Sequence, residues 1–160
     1  RMMEVGKAEI LQDGEDCVIL ALGTLVQPSL KAAERLAADG ISASVVNARF
    51  VKPLDEELIT CLASEKSFLI TVEEAALMGG FGSAVMELLE ARNIQGCKVL
   101  RIGVPDRLIP HGSPSLLHAK YGIDADGIYE KVKTFIQDHY SSKPGRARKS
   151  GLKTVPAREQ

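Results

Sequence analysis

Tryptophan is absent from the 160 residues, and aromatic residues of any kind make up only 4 %. Interleaved aromatics on which unpaired bases could stack are therefore missing, which argues against a single-strand nucleic-acid binder. Cysteine is scarce as well. Cys17, Cys61 and Cys97 stand far apart with no CxxC pair, which argues against a zinc knuckle or a thioredoxin-like redox site. No apolar run approaches the roughly 18 residues needed to cross a bilayer, and no secretory leader pattern occurs. The phosphate-cradling GxxxxGK[ST] is missing, and so is the GxSxG elbow that presents a nucleophilic serine.

What is present is ordinary for a globular domain: 45 % apolar and 26 % charged residues. A reducing, cytoplasmic compartment is the expectation. Cys17 and Cys61 are read as small buried thiols, packed and unreactive. The chain opens at Arg1, and it reads as a piece of something longer. The net charge of −1 hides an asymmetry: 141–160 holds six basic residues and one acidic residue. This divides the chain into a folded domain, 1–140, and a basic tail, 141–160. The tail has neither aromatics nor an amphipathic period, so it reads as solvated and disordered rather than as a membrane or nucleic-acid binder.

Between residues 5 and 140, strand-like and helix-like segments alternate. Cys17–Leu22 is short and continuously apolar, as a strand buried on both faces must be. Pro28–Asp39 spaces Leu30, Ala33 and Ala37 helically and ends at Gly40. Ile41–Asn47 is a second buried strand. Asp55 caps a helix whose first turn carries Glu56 and Glu57. Phe68–Val72 and Val99–Val104 are further strands, with a helix over Ser83–Arg92 between them. Ser113 followed by Pro114 starts another helix. Asp124 caps the last, whose Ile128, Val132, Phe135 and Ile136 share a face. Lys7–Leu11 adds an edge strand. The pattern predicts an α/β fold: three layers, α/β/α, around a mostly parallel twisted sheet of about five strands.

Chemistry-bearing residues gather in two segments. Glu73 and Glu74 follow the Phe68–Val72 strand, where ligands of parallel sheets bind. As neighbours in extended chain they face opposite ways, so they cannot form an acid/base carboxylate pair. One of them can instead hold a helix N-terminus or a neighbouring domain. Gly80-Phe81-Gly82 begins a GxGxx pattern, but Val85 occupies the third small position and the strand ends too far upstream for a dinucleotide fingerprint. These glycines read as a tight turn allowing close packing. The second segment, Pro105–Gly112, joins Asp106, Arg107 and His111. Asp106 and Arg107 brace the loop in the simplest reading. His111 is the best acid/base candidate of the three histidines, since His118 and His139 are expected to face solvent. The two segments follow consecutive parallel strands, so they should be neighbours. Glu73, Glu74, Gly80, Gly82, Asp106, Arg107 and His111 then form one edge, read as an interdomain or dimer interface. No catalytic, cofactor-binding or metal-ligating residue is assigned.

The segments ARFVKPLDEELI (48–59), TVEEAALMGGFGSAVMELL (71–89) and GVPDRLIPHGSPSLL (103–117), after an early GKAEIL, closely resemble the last domain of the 1-deoxy-D-xylulose-5-phosphate synthases. The resemblance covers about 4 to 137. The VxEE…GGFGSAV part is shared with transketolases and with beta subunits of 2-oxoacid dehydrogenases, which remain alternatives alongside a free-standing interaction module. Asn47 stands where the family often has Asp, and Pro110 where it often has an acidic residue. The resemblance implies a homodimeric transferase that uses thiamine diphosphate and Mg²⁺ to condense pyruvate with glyceraldehyde 3-phosphate, supplying isoprenoid, thiamine and pyridoxal precursors. It places both cofactors on upstream catalytic domains of the same polypeptide. Nothing is expected bound to this domain, which would be structural, dimer-supporting and inactive alone.

Overall fold

The computed structural model describes residues 4–140, so the basic tail lies outside the described residues. Five strands form one sheet: β1 (Glu9–Gln12), β2 (Cys17–Ala21), β3 (Ala43–Asn47), β4 (Phe68–Ala76) and β5 (Lys98–Val104), in the order β1-β3-β2-β4-β5. All neighbouring pairs are parallel except β1 on β3. Five α-helices connect them: α1 (Val26–Ala38), α2 (Glu56–Glu65), α3 (Phe81–Ala91), α4 (Pro114–Tyr121) and α5 (Ala125–Tyr140).

The alternation of strand side chains sorts the core into two halves. Cys17, Ile19, Val45 and Ile70 face Ala33 and Leu36 of α1 and Ile128 and Val132 of α5. Val18, Leu20, Val46 and Leu69 face Ile59 and Leu62 of α2 and Val85 and Leu89 of α3. β2 is wholly buried, as a strand covered on both faces requires. The three-layer expectation is met, with β1 as the edge strand.

The predicted caps form. Asp55 accepts from Leu58 N, Ser113 from Leu116 N ahead of Pro114, and Asp124 from Gly127 N. Other expectations need correction. α1 begins at Val26 after a 3₁₀ turn, Gly23–Leu25, and α3 begins at Phe81, two residues earlier than its periodicity suggests. Cys61 is exposed. Its neighbours Leu62 and Ala63 take the inward face of α2, and Glu65, one turn on, pushes its thiol pKa up. Cys17 is buried, and desolvation pushes its thiol up to about 12.

α1 and α5 are clasped at the surface. Tyr129 Oη donates to Asp39 at 2.5 Å, Lys133 reaches Asp39 at 2.8 Å, and the Arg35 guanidinium lies 4.0 Å from the centre of the Tyr129 ring. The hydrogen bond from Lys133, then that from Tyr129, holds the Asp39 carboxyl below the usual aspartate range. A folded-state pKa below the unfolded one gives stability that is present above the unfolded value, roughly 3.9, and lost as pH falls through the folded value. Asp39→Asn should therefore lower the urea midpoint near neutrality. The difference from the native chain should vanish in strong acid. A constant difference at every pH would contradict the clasp.

Candidate functional site

The carboxyl ends of β4 and β5 emerge side by side. The strands pair in parallel from Phe68↔Lys98 to Val72↔Ile102, and again at Ala76↔Val104. Between these points β4 uses four steps where β5 uses two, so Glu73–Ala75 bulge out of register. By the alternation of the strand Glu73 shares the α3 side of the sheet with Leu69 and Thr71, and there it is fully buried. This corrects the expectation that the strand stops before Glu73: both acids lie within β4, on opposite sides as the alternation demands.

The buried carboxylate sits at the N-terminus of α3. Glu73 Oε2 accepts from Phe81 N at 2.7 Å and Oε1 from Gly82 N at 2.8 Å. The first N–H groups of a helix lack partners within it, and its positive end favours an anion. Glu73 supplies that anion from within the chain. Glycines make room for it. A Cβ at Gly80 would lie 2.2 Å from Glu73 Oε2, and one at Gly103 would lie 3.1 Å from Glu73 Cγ. The Gly79–Gly80 turn is braced by Ser83 Oγ, which accepts from Gly79 N and donates to Leu77 O, and by Arg101, which donates to Leu77 O and Ser83 Oγ.

Glu74 points outward and meets His118 Nε2 of α4 at 2.6 Å. His118 is thus an anchor of α4 and not a free surface histidine. His139 is also misjudged from sequence: Nδ1 lies 2.7 Å from Phe135 O, and the ring packs on Phe135 and Phe68. Asp106, Arg107 and His111 are exposed on the loop after β5, with the Arg107 guanidinium 5.4 Å from the centre of the Tyr121 ring. The edge therefore divides into a buried half, Glu73 with its glycines, and an exposed half, Glu74, Asp106, Arg107 and His111.

No nucleophile–base pair is built here, and among the described residues no three metal-ligating side chains converge. The anion position at the α3 N-terminus, where a phosphate would bind in this type of sheet, is filled by Glu73.

Residues 6–128 match the family model described as "Transketolase, C-terminal domain". Curated relatives include a 1-deoxy-D-xylulose-5-phosphate synthase from Geobacter metallireducens, 53 % identical over 85 % of this chain and 22 % of its own length. Another, from Desulforudis audaxviator, is 49 % identical over 82 % of this chain and 21 % of its own length. The chain thus spans about a fifth of these relatives. Among solved structures, a split-gene transketolase described as an inactive β4 tetramer superposes with a TM-score of 0.77 at 35 % identity, covering 84 % of this chain and 44 % of that one. A Pichia stipitis transketolase shares the fold at a TM-score of 0.63 and 18 % identity, over 86 % of this chain and 19 % of its own.

Proposed function

The chain belongs to the transketolase C-terminal domain family, and from that membership we propose that it is the last domain of a 1-deoxy-D-xylulose-5-phosphate synthase. The observation that carries this is the 53 % identity with a synthase over 85 % of the chain. The whole enzyme would join pyruvate to glyceraldehyde 3-phosphate with loss of carbon dioxide, in the cytoplasm and as a homodimer. The 35 % identity with a split-gene transketolase supports a second reading, a transketolase domain. The synthase relatives are closer in sequence by a wide margin.

Thiamine diphosphate and Mg²⁺ are implied by this reading, and the residues here do not fit them. Both Glu73 oxygens are taken by α3, Glu74 holds His118, and no metal-ligand cluster stands among the described residues. We assign both cofactors to the remaining four fifths of the parent, where they would supply the carbanion chemistry. This domain's part is to present its β4–β5 edge, with Glu74, Asp106, Arg107 and His111 outward, to the rest of the enzyme or to its dimer mate.

A graft tests the assignment. Residues 6–128 replace the matching segment of the Geobacter metallireducens synthase, and in parallel that of the Pichia stipitis transketolase. The synthase graft should keep turnover within about tenfold of native, a barrier change of about 1.4 kcal/mol, while the transketolase graft should lose its activity. A soluble synthase graft that forms no product, beside an active transketolase graft, would reverse the assignment.

A further inference from the structure

Between β5 and α5 the chain runs through a stretch that the core scarcely holds. From Val104 to Lys120 no residue is buried, whereas Ile102 and Gly103 before it and Tyr121 and Ile123 after it are. Ile109 and Leu117 are partly buried, and Leu108 is 98 % exposed. A surface helix is ordinarily held by an apolar stripe that faces the core. α4 has none: within it only Tyr121, its last residue, is buried. Both ends of the stretch are fastened. Val104 O accepts from Leu77 N at 2.9 Å, at the end of β5. Tyr121 O accepts from Lys131 Nζ of α5 at 2.6 Å, and Gly122 closes α4 in a left-handed turn with φ +59°.

Between these fastenings one side-chain contact reaches the sheet. Among the described residues, the Glu74–His118 pair at 2.6 Å is the single hydrogen bond or ion pair that joins 106–120 to a strand. The other polar contacts stay within the stretch or at its base. Ser113 Oγ accepts from Leu116 N, and Arg107 and Lys120 lie toward the Tyr121 ring. The sheet side of the pair is firm, because Glu74 follows Glu73, whose carboxylate is bonded to the first turn of α3. The helix side is held by little else. A segment with few buried apolar contacts is among the first to open in a native protein, and it opens without the rest.

We infer that residues 106–120 form a flap that opens as one unit, hinged at Pro105 and at the Tyr121–Gly122 end of α4, with the Glu74–His118 contact as its latch. The flap carries Asp106, Arg107 and His111, three of the four groups on the exposed half of the edge. Opening moves these three together, while Glu74 remains on β4. With the flap closed, Glu74 is matched by the His118 imidazole. With it open, the edge presents an unmatched carboxylate, so one contact switches the edge between two electrostatic faces. An exposed pair of this kind contributes little to stability, and both positions of the flap therefore stay accessible. The latch is a property of this chain and holds whichever parent enzyme the chain serves.

Hydrogen exchange on the full 160-residue chain, resolved to single amides by NMR, tests this. The variants are Glu74→Ala, His118→Phe and the two combined. Phenylalanine keeps a ring of similar helix propensity and removes the nitrogen. Glu87→Ala, at an exposed position of α3, controls for the lost charge. In the native chain the amides of α4 should exchange together and well ahead of those in β2, the buried strand. Each single variant should speed exchange throughout α4 by about two- to fivefold, the range an exposed pair allows. Exchange in β2 and the urea midpoint should stay native. The double variant should be no faster than the faster single one, because either change alone breaks the contact. Glu87→Ala should match the native chain. Native α4 amides as slow as those of β2 would overturn the flap. Single variants with native α4 exchange, or accelerations that multiply in the double variant, would overturn the latch. Acceleration that extends equally to β2 would assign the pair to the stability of the whole fold and sink the inference as well.

Discussion

Replacing Glu73 by alanine should lower the stability of the domain by about 3–5 kcal/mol, since two N–H groups lose a charged acceptor in a dry site at about 1.5–2.5 kcal/mol each. For a domain of this size that corresponds to a fall in Tm of roughly 10–15 °C. Glutamine keeps the shape but not the chemistry. Its amide oxygen can accept from either Phe81 N or Gly82 N, and its NH₂ then confronts the other donor. A loss of about 2–4 kcal/mol is expected on the same basis. The adjacent Glu74 provides the contrast. Its side chain is 45 % exposed in the pair with His118, and such pairs contribute about 0–1 kcal/mol. Glu74→Gln should therefore leave Tm almost unchanged. Thermal unfolding of the three variants decides the matter. A Glu73→Gln domain as stable as the native one would mean that α3 does not depend on the carboxylate.

That contrast also marks where the sequence was readable. The apolar run Cys17–Leu22, the caps Asp55, Ser113 and Asp124, and the spaced face of α5 all announce themselves. In each case one local signal matches one local structure, and the element order then fixes the fold class. Glu73 behaves differently. A fully buried carboxylate reads as polar, so the apolar pattern of β4 stops at Val72 although the strand runs on to Ala76. The room for its side chain depends on Gly103 in another strand, where a Cβ would lie 3.1 Å from Glu73 Cγ. No local pattern reports it. The sequence did raise a helix N-terminus as one role for this pair of acids, and the structure selects Glu73 for it.

His139 was missed for a different reason. Ile128, Val132, Phe135 and Ile136 set a helical face, and residue 139 continues it at i+11, so the signal was available one turn further on. His118 could not be placed that way. Its partner Glu74 lies 44 residues away, and α4 has no apolar stripe of its own. The exposed edge was legible as a neighbourhood, because consecutive parallel strands end together.

Gly80 and Gly79 should respond very differently to the same added methyl group. Gly79 adopts a φ of +70° with open space around it. Alanine there meets only the left-handed backbone penalty, about 1–2 kcal/mol. Gly80 is extended, with φ −87° and ψ −163°, so its backbone would accept any residue. What forbids a side chain is proximity: a Cβ would lie 2.2 Å from Glu73 Oε2 and 2.4 Å from Ala76 O. Overpacking alone costs about 1–3 kcal/mol, and displacing the carboxylate removes part of its hydrogen bonding to α3 as well. Gly80→Ala should thus approach the Glu73→Ala loss, about 3–5 kcal/mol. The two changes damage one device, so they should not add. In the Glu73→Ala background the methyl group no longer meets a carboxylate and collides only with the Ala76 carbonyl. The double variant should be less destabilised than the two single losses together, by about 1–3 kcal/mol of coupling. Denaturant unfolding of the four-member cycle measures this directly. Strict additivity would show that Gly80 is required for a reason other than the seat of Glu73.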